Sequence, residues 1–237
     1  MLLWRVRFCV VLLLLLGAGL ALSPGDSRAA ARAMRSRMRY LALGDSYTVG
    51  EAVSEDSCWP RQLAAALRAR GIALQDPKII ARTGWTTDEL DAAIDAAHPR
   101  GRYAFVTLLI GVNNQFRGRD AGEYRTHLRR LLGRAVHFAG RHAARVLVVS
   151  IPDWGVTAFA EGRDRARIAR EIDAFNAIAR EEAAHSGAQW ADITPISRRL
   201  GAKPEALAAD GLHPSALAYT EWLAVITPAA AAMLAPR

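Results

Sequence analysis

The sequence predicts a parallel α/β fold, in which helices cover both faces of a five-stranded sheet to form one three-layer domain. From residue 39 onward, short apolar runs alternate with segments whose apolar residues recur at helical spacing, which is the pattern of repeated β–α units. The run 103–110 is almost continuously apolar, as expected of a strand buried on both faces. A chain of 237 residues has the length of one substantial domain.

Five segments are predicted as strands because they are short, apolar and bounded by polar or glycine-bearing turns. In chain order they are residues 40–43, 78–81, 103–110, 145–150 and 189–192.

The intervening helices are predicted from apolar stripes and from their end signals. The first carries Leu63 and Leu67 and stops at Gly71. Thr86 and Glu89 have the spacing of a capping box, which satisfies free backbone amides at the start of a second helix. Two more stripes end near Gly140 and Gly187, and a last helix is predicted between Pro214 and Pro228; their apolar residues are Tyr124, Leu128, Leu131, Leu132, Ile168, Ile172, Phe175, Ile178, Leu217, Tyr219, Trp222 and Ile226.

The N-terminal residues 1–33 predict a signal peptide or hydrophobic anchor with an Ala/Arg-rich spacer. Two arginines precede the apolar run 8–22 and small residues come after it, a layout typical of secretory signals and short for a membrane span. Arginines at 28, 32, 35, 37 and 39 oppose export of the downstream chain. Export or anchoring is the preferred interpretation, and translation from Met34 or Met38 would instead give a cytoplasmic protein.

The net charge of +8 does not by itself identify a partner. Lys78 and Lys203 are the only lysines among 31 basic residues, and the arginines are scattered among acidic residues. This distribution favours a solvated basic surface over a nucleic-acid footprint, and no nucleic-acid-binding motif is present. Cys9 lies in the apolar run, so Cys58 is expected to be a lone packed thiol. The six histidines lack metal-ligand spacing, and neither a metal nor another cofactor is expected.

Polar or glycine-bearing segments come after the predicted strands, where sites form in parallel sheets. Ser46 follows strand one, Gly84 strand two and Asn113 strand three, while residues 153–154 follow strand four. His213 precedes the last helix. The sequence therefore predicts that the candidate site lies along this edge of the sheet.

Three of these side chains have the chemistry of acyl transfer. A serine hydroxyl becomes a good nucleophile only when a base accepts its proton, and histidine titrates in the required range. Asp210 lies three residues before His213 on a glycine-containing turn, so its carboxylate is placed to hold the imidazole tautomer. Ser46 is thus the candidate nucleophile, His213 the candidate base and Asp210 its orienting acid.

An oxyanion formed by serine attack needs preorganised donors. Gly84 has no side chain to block its amide, Asn113 carries a side-chain NH₂, and the Ser46 amide begins a helix. If the strand order is 2-1-3-4-5, strands two, one and three are neighbours, and these three donors then lie side by side.

Four sequence blocks resemble those of the SGNH/GDSL hydrolase family. They are Gly-Asp-Ser-Tyr at 44–47, the isolated Gly84, Gly-Val-Asn at 111–113 and Asp-Gly-Leu-His at 210–213. They occur in the family's order, and the one mild departure is Tyr47, where the family's name has leucine. No Gly-x-Ser-x-Gly nucleophile elbow is present, so the α/β-hydrolase fold is not supported.

The resemblance implies a flavodoxin-like α/β/α sandwich over residues 38–237 and an esterase that uses no metal. It implies Ser46, His213 and Asp210 as the triad, with Ser46, Gly84 and Asn113 around the oxyanion. The expected substrate is a small ester or an acylated glycan or lipid, and a membrane is involved only through the possible anchor. A glycan O-deacetylase, a lysophospholipase or thioesterase, an O-acyltransferase and, more distantly, a non-catalytic binding domain remain alternatives.

Further residues near the strand ends have more than one interpretation. Trp85, Phe116, Asp153 and Trp154 are candidates for the substrate pocket, and packing beneath a lid would explain them equally well. Asp45 is expected to order its loop or cap the next helix rather than take part in chemistry.

Overall fold

The computed structural model describes residues 38–235, which contain a five-stranded parallel sheet. The strands are β1 (Tyr40–Gly44), β2 (Lys78–Ala81), β3 (Phe105–Leu109), β4 (Val146–Val149) and β5 (Gln189–Ala191). Their order is β2-β1-β3-β4-β5 and all four pairings are parallel. The predicted strand order and fold class are confirmed.

Strand β3 is shorter than the apolar run that predicted it. Tyr103 is buried, but its backbone N–H donates to the carbonyl of Phe138 (2.9 Å) instead of pairing with a neighbouring strand. Its ring also packs beneath the Arg39 guanidinium, 4.1 Å from the ring centroid. Apolar character at this position therefore reports burial outside the sheet.

Eight α-helices lie within the described residues. They are α1 (Ser46–Val49), α2 (Trp59–Ala69), α3 (Thr87–Ala97), α4 (Val112–Phe116), α5 (Ala121–Phe138), α6 (Arg165–Ser186), α7 (Thr194–Leu200) and α8 (Ala216–Leu234). Helices α3, α5 and α6 pack side by side as one layer, and α2 packs against α8 in the other. The sheet lies between them, and its three central strands β1, β3 and β4 are wholly buried.

The predicted capping box is present at the start of α3. The Glu89 carboxylate accepts the backbone N–H of Thr86 at 2.8 Å, and the Thr86 side chain caps the N3 amide in return. Trp59 and Cys58 are both fully buried, and the Cys58 thiol is free. The capping box and the packed Cys58 thiol agree with the sequence predictions.

Helix α8 does not stop before Pro228 as predicted, but continues to Leu234. Residues on both sides of the proline are buried, including Ile226, Ala230 and Leu234, so packing favours a continuous helix despite the lost hydrogen bond. Among the described residues, α8 is also the one helix whose length and composition would suit a membrane span. Tyr219, Trp222 and Ile226 nevertheless point into the protein core.

The carboxyl ends of the three neighbouring strands are in register. Gly44 pairs with Ala81 of β2 and with Leu109 of β3. A Cβ at Gly44 would lie far inside contact distance of the Thr48 side chain and 2.5 Å from the Leu109 carbonyl oxygen. Glycine therefore allows β1 to turn sharply into α1, and this turn presents the next residues at the edge of the sheet.

Candidate active site

Ser46 is the first residue of α1, directly beyond β1. Asp45 is the N-cap of this short helix, and its Oδ1 accepts the backbone N–H of Tyr47 at 3.0 Å. Gly50 ends the helix in the left-handed region, with a φ of 82°. The helix fixes the backbone of Ser46, which is only 4% exposed.

Asp45 is wholly buried, and its second carboxylate oxygen has no hydrogen-bond partner among residues 38–235. Burial raises the pKa of Asp45 to about 7, although the Tyr47 amide opposes that rise. Since one oxygen caps α1 and the other faces a desolvated interior, Asp45 serves the structure of the turn, as its sequence position suggested.

His213 and Asp210 form a close pair on the loop before α8. His213 Nδ1 lies 2.6 Å from Asp210 Oδ2, and Asp210 Oδ1 accepts the backbone N–H groups of Leu212 and His213, each at 2.9 Å. Gly211, at a φ of 68°, allows the tight turn between them. Burial alone would raise the pKa of Asp210, but these hydrogen bonds outweigh it and hold the pKa below its usual value.

Ser46 and His213 line one cavity of about 170 Å³ at the carboxyl edge of the sheet. Gly84 and Asn113 line it as well, so four of the predicted site residues meet there, with Asp210 held against His213. No hydrogen bond joins the Ser46 hydroxyl to the His213 ring in the described part of the chain. Such bonds are often long in free enzymes and shorten when substrate binds.

Gly84 and Asn113 flank the serine from the two neighbouring strands. Gly84 has a φ of 86°, a conformation that glycine adopts without strain. Asn113 Nδ2 donates to the carbonyl of Trp85 at 2.9 Å. That contact uses one of the two N–H groups of the amide and leaves the other available.

Hydrogen bonds from helix α4 and from Arg117 hold the turn that carries Gly84. Arg117, just after α4, donates from Nη2 to the Gly84 carbonyl at 2.6 Å. Asn114 accepts the backbone N–H of Thr87 at 3.1 Å and donates to the Thr87 hydroxyl at 2.9 Å. The two turns that carry Gly84 and Asn113 are therefore one hydrogen-bonded unit.

The four predicted pocket residues divide into two groups. Phe116 and Trp154 line the cavity. Trp85 packs partly buried against the core, and within the described residues neither it nor Asp153 belongs to the cavity lining.

Asp153 is occupied by structural contacts. Its Oδ1 accepts the Gly155 N–H at 2.8 Å and its Oδ2 pairs with Arg198 Nε at 2.9 Å. The residue is 2% exposed. Asp153 therefore caps the turn that follows β4. Its position after a strand end could not distinguish this role from substrate binding.

Sequence reasoning missed several residues of the cavity wall, namely Tyr47, Thr83, Val112, Phe159 and Leu212. Tyr47, Thr83, Val112 and Leu212 adjoin predicted site residues, and adjacency was the available signal. Phe159 lies in the loop between β4 and α6, where the chain makes short 3₁₀ turns. Because Phe159 is far in sequence from any strand end, the sequence did not indicate that it belongs to the cavity.

The polar groups at the cavity include a serine hydroxyl, an imidazole backed by a carboxylate and an amide side chain, beside the hydroxyl-bearing side chains of Tyr47 and Thr83. Among residues 38–235, no group of three His, Cys, Asp or Glu side chains is placed to hold a metal ion. The groups that are present are those of nucleophilic acyl transfer.

The order of the parallel sheet and the serine and imidazole at its carboxyl edge define a class of α/β sandwich hydrolases. Residues 42–220 match the GDSL-like Lipase/Acylhydrolase family, and the chain belongs to that family. This membership supports hydrolysis of carboxylic esters.

Solved structures share the fold at low sequence identity. TesA is 21% identical, with a TM-score of 0.65, over 83% of this chain and 99% of that chain. The esterase EstA from Pseudoalteromonas sp., in a structure inhibited by monoethylphosphonate, is 18% identical, with a TM-score of 0.58, over 80% and 97%. The acetylxylan esterase Axe2 from Geobacillus stearothermophilus is 18% identical, with a TM-score of 0.58, over 84% and 95%. At these identities the likeness shows the fold alone.

A search of the curated proteins found no match to this chain.

Proposed function

We propose that this protein is a serine esterase that cleaves carboxylic esters through an acyl intermediate on Ser46. One observation carries the proposal: Ser46 and a His213 ring backed by Asp210 line the same cavity. A cavity of about 170 Å³ has room for a small ester group beside both side chains, since a single water needs only about 10–15 Å³.

In the first half of the reaction, Ser46 Oγ attacks the ester carbonyl carbon while His213 Nε2 accepts the hydroxyl proton. The tetrahedral intermediate collapses when the bond to the alcohol oxygen breaks, and His213 returns the proton to that oxygen. Because Asp210 Oδ2 lies 2.6 Å from Nδ1, it favours the tautomer whose Nε2 is free to accept a proton.

In the second half, His213 takes a proton from a water molecule that attacks the acyl carbonyl. Collapse of the second tetrahedral intermediate releases the carboxylic acid and restores the Ser46 hydroxyl. The oxyanion of both intermediates is stabilised by the backbone N–H groups of Ser46 and Gly84 and by the Asn113 side chain.

An acetylated glycan, a lysophospholipid or a thioester would suit the same chemistry, and an acceptor alcohol in place of water would make the protein an O-acyltransferase. Axe2 is an acetylxylan esterase, so acetylated sugars belong in a substrate screen beside short activated esters. Formation of a new ester when an alcohol is added would identify transferase activity.

The direct test of the proposal is the Ser46→Ala variant. It should abolish turnover of a short 4-nitrophenyl ester, because it removes the hydroxyl that is proposed to form the acyl intermediate. Ser54→Ala is a matched control, since Ser54 is exposed and bonds only to Ser57 in the described structure. Full activity in the Ser46→Ala variant would remove this serine from the mechanism.

We further propose that residues 1–33 direct export or anchor the protein, with the catalytic domain beginning at residue 38. This segment lies outside the described residues. N-terminal sequencing of the natural protein tests the proposal. A mature start between residues 23 and 33 supports export, and an N-terminus that retains the apolar run 8–22 supports anchoring. A start at Met34 or Met38 contradicts both.

A further inference from the structure

One side of the cavity is an aromatic wall made of Phe116, Trp154 and Phe159. The ring centroids lie 5.3 Å apart for Phe116 and Trp154, 6.0 Å for Trp154 and Phe159, and 6.3 Å for Phe116 and Phe159. Phe116 is 46% exposed and Phe159 is 39% exposed, and in the described chain only Leu217 is a comparably exposed large apolar residue. Exposed apolar side chains clustered at a cavity point to contact with a ligand.

Arg163 lies against this aromatic wall. Its guanidinium carbon is 5.5 Å from the Phe116 centroid, 5.4 Å from that of Trp154 and 5.0 Å from that of Phe159. All three distances are within cation–π range. Arg163 does not line the cavity itself, so its charge is held at the rim, on the aromatic wall that encloses the site.

Within the described residues, the hydrogen-bond donors of the Arg163 side chain have no protein partner. Across residues 38–235, its side chain makes no hydrogen bond or ion pair with any other residue. Arg117 nearby is bound to Glu89 and to the Gly84 carbonyl, and Arg165 donates to the Thr157 carbonyl. A guanidinium has five N–H donors in one plane, and contacts with ring faces leave those donors available to an anion.

We infer that Arg163 determines specificity by binding an anionic group of the ester substrate at the rim of the cavity; this inference rests on the esterase function proposed above. The three rings hold the exposed guanidinium at the edge of the cavity. From there its N–H donors can form charge-assisted hydrogen bonds to a carboxylate, phosphate or sulfate. The favoured substrates are esters whose apolar part packs on Phe116 and Phe159 and whose anionic group reaches Arg163.

A purely packing role for Arg163 predicts a different behaviour. An arginine that only covers exposed rings with its aliphatic stem would affect neutral and anionic substrates alike. An anion-binding arginine changes the ratio between them, and added salt reduces that ratio because the site is open to solvent. The ratio therefore separates the two roles.

The experiment compares kcat/KM for two isosteric pairs of esters. The pair 3-carboxyphenyl butyrate and 3-carbamoylphenyl butyrate places the charge in the alcohol part. Mono-4-nitrophenyl adipate and 4-nitrophenyl adipamate, in which an amide replaces the carboxylate, place it in the acyl part. Each pair is measured with the wild type, Arg163→Gln and Arg163→Lys. Arg167→Gln is the matched control, because it removes the same charge from an exposed i,i+4 ion pair with Glu171.

In one pair, the wild type should prefer the anionic ester, and this preference should fall about two- to fivefold in Arg163→Gln. Arg163→Lys should retain part of it, and Arg167→Gln should leave the ratio unchanged. An unchanged ratio in Arg163→Gln for both pairs, or an equal fall for both members of each pair, would overturn the inference. A wild type that hydrolyses none of the four esters would instead contradict the esterase function.

Discussion

At the scale of single residues, the site consists of groups whose backbone positions are set by neighbouring contacts. The Asp210 carboxylate holds both the ring and the backbone of His213, and Asp45 fixes the turn that carries Ser46. These assignments were accessible from sequence because each residue type has a narrow chemical use next to a strand end or helix start. Two residues of the aromatic wall, Phe116 and Trp154, were predicted from the sequence. Phe159 was not, because its loop shows no sequence pattern.

The proposed oxyanion role of Asn113 leads to a prediction at this scale. Asn113→Ala should lower kcat by about 10²–10³-fold, the typical effect of removing one oxyanion donor, with a smaller change in KM. Steady-state kinetics on a short ester measure the effect. The substitution also removes the contact to the Trp85 carbonyl, so circular dichroism and thermal melting must show that the variant is folded. A folded variant with wild-type kcat would exclude Asn113 from the oxyanion site.

At the scale of secondary-structure elements, sequence patterns predicted which segments are strands and helices better than where each one ends. The capping box at Thr86 set the start of α3 correctly because two side chains satisfy specific amides there. The predicted end of α8 was wrong because Pro228, a local helix-ending signal, competes with the burial of the apolar residues beyond it. Tertiary packing determines where such a helix ends, and the periodicity of apolar residues does not show how strong that packing is.

Pro228 therefore provides a prediction about stability. Pro228→Ala should increase the free energy of unfolding by about 1–3 kcal/mol, because alanine restores a helical N–H and removes the ring clash. Pro204→Ala is the control, since Pro204 begins a short 3₁₀ turn where its missing N–H costs little. Urea unfolding measures both variants. A Pro228→Ala protein less stable than wild type would show that α8 is adapted to the proline.

At the scale of the whole molecule, the sheet order places Ser46, Gly84 and Asn113 on adjacent strand ends. This strand order was a condition of the sequence prediction, and the flavodoxin-like fold implied by the family resemblance agrees with it. The contacts between helices were not predictable, because they depend on side chains far apart in sequence. Glu182 of α6 is an example: it is buried and bound by Arg125 and Arg129 of α5, with contacts of 2.8–2.9 Å.

This cluster predicts how stability depends on pH. The hydrogen bonds from Arg129, followed by those from Arg125, lower the pKa of Glu182 to about 2. A carboxyl whose pKa is lower in the folded state stabilises the protein above its unfolded pKa of about 4.3. That contribution is lost as pH falls through the folded pKa.

Glu182→Gln should therefore be clearly less stable than wild type at pH 7, and the difference should shrink between about pH 4.3 and pH 2. Thermal melting at several pH values measures it. Glu181→Gln is the matched control, because Glu181 also bonds to Arg125 but its side chain is 51% exposed. A difference that stays constant down to pH 2 would show that the charge of Glu182 does not stabilise the fold.

Covalent labelling can show whether Ser46 is the nucleophile. Ser46 Oγ should displace the leaving group of an organophosphonate ester, so that the tryptic peptide 40–61 gains the mass of the phosphonyl group. Fragmentation should place the adduct on Ser46 rather than on Ser54 or Ser57. The Ser46→Ala protein should remain unlabelled. An adduct on another residue, or equal labelling of the Ser46→Ala protein, would exclude Ser46 as the nucleophile.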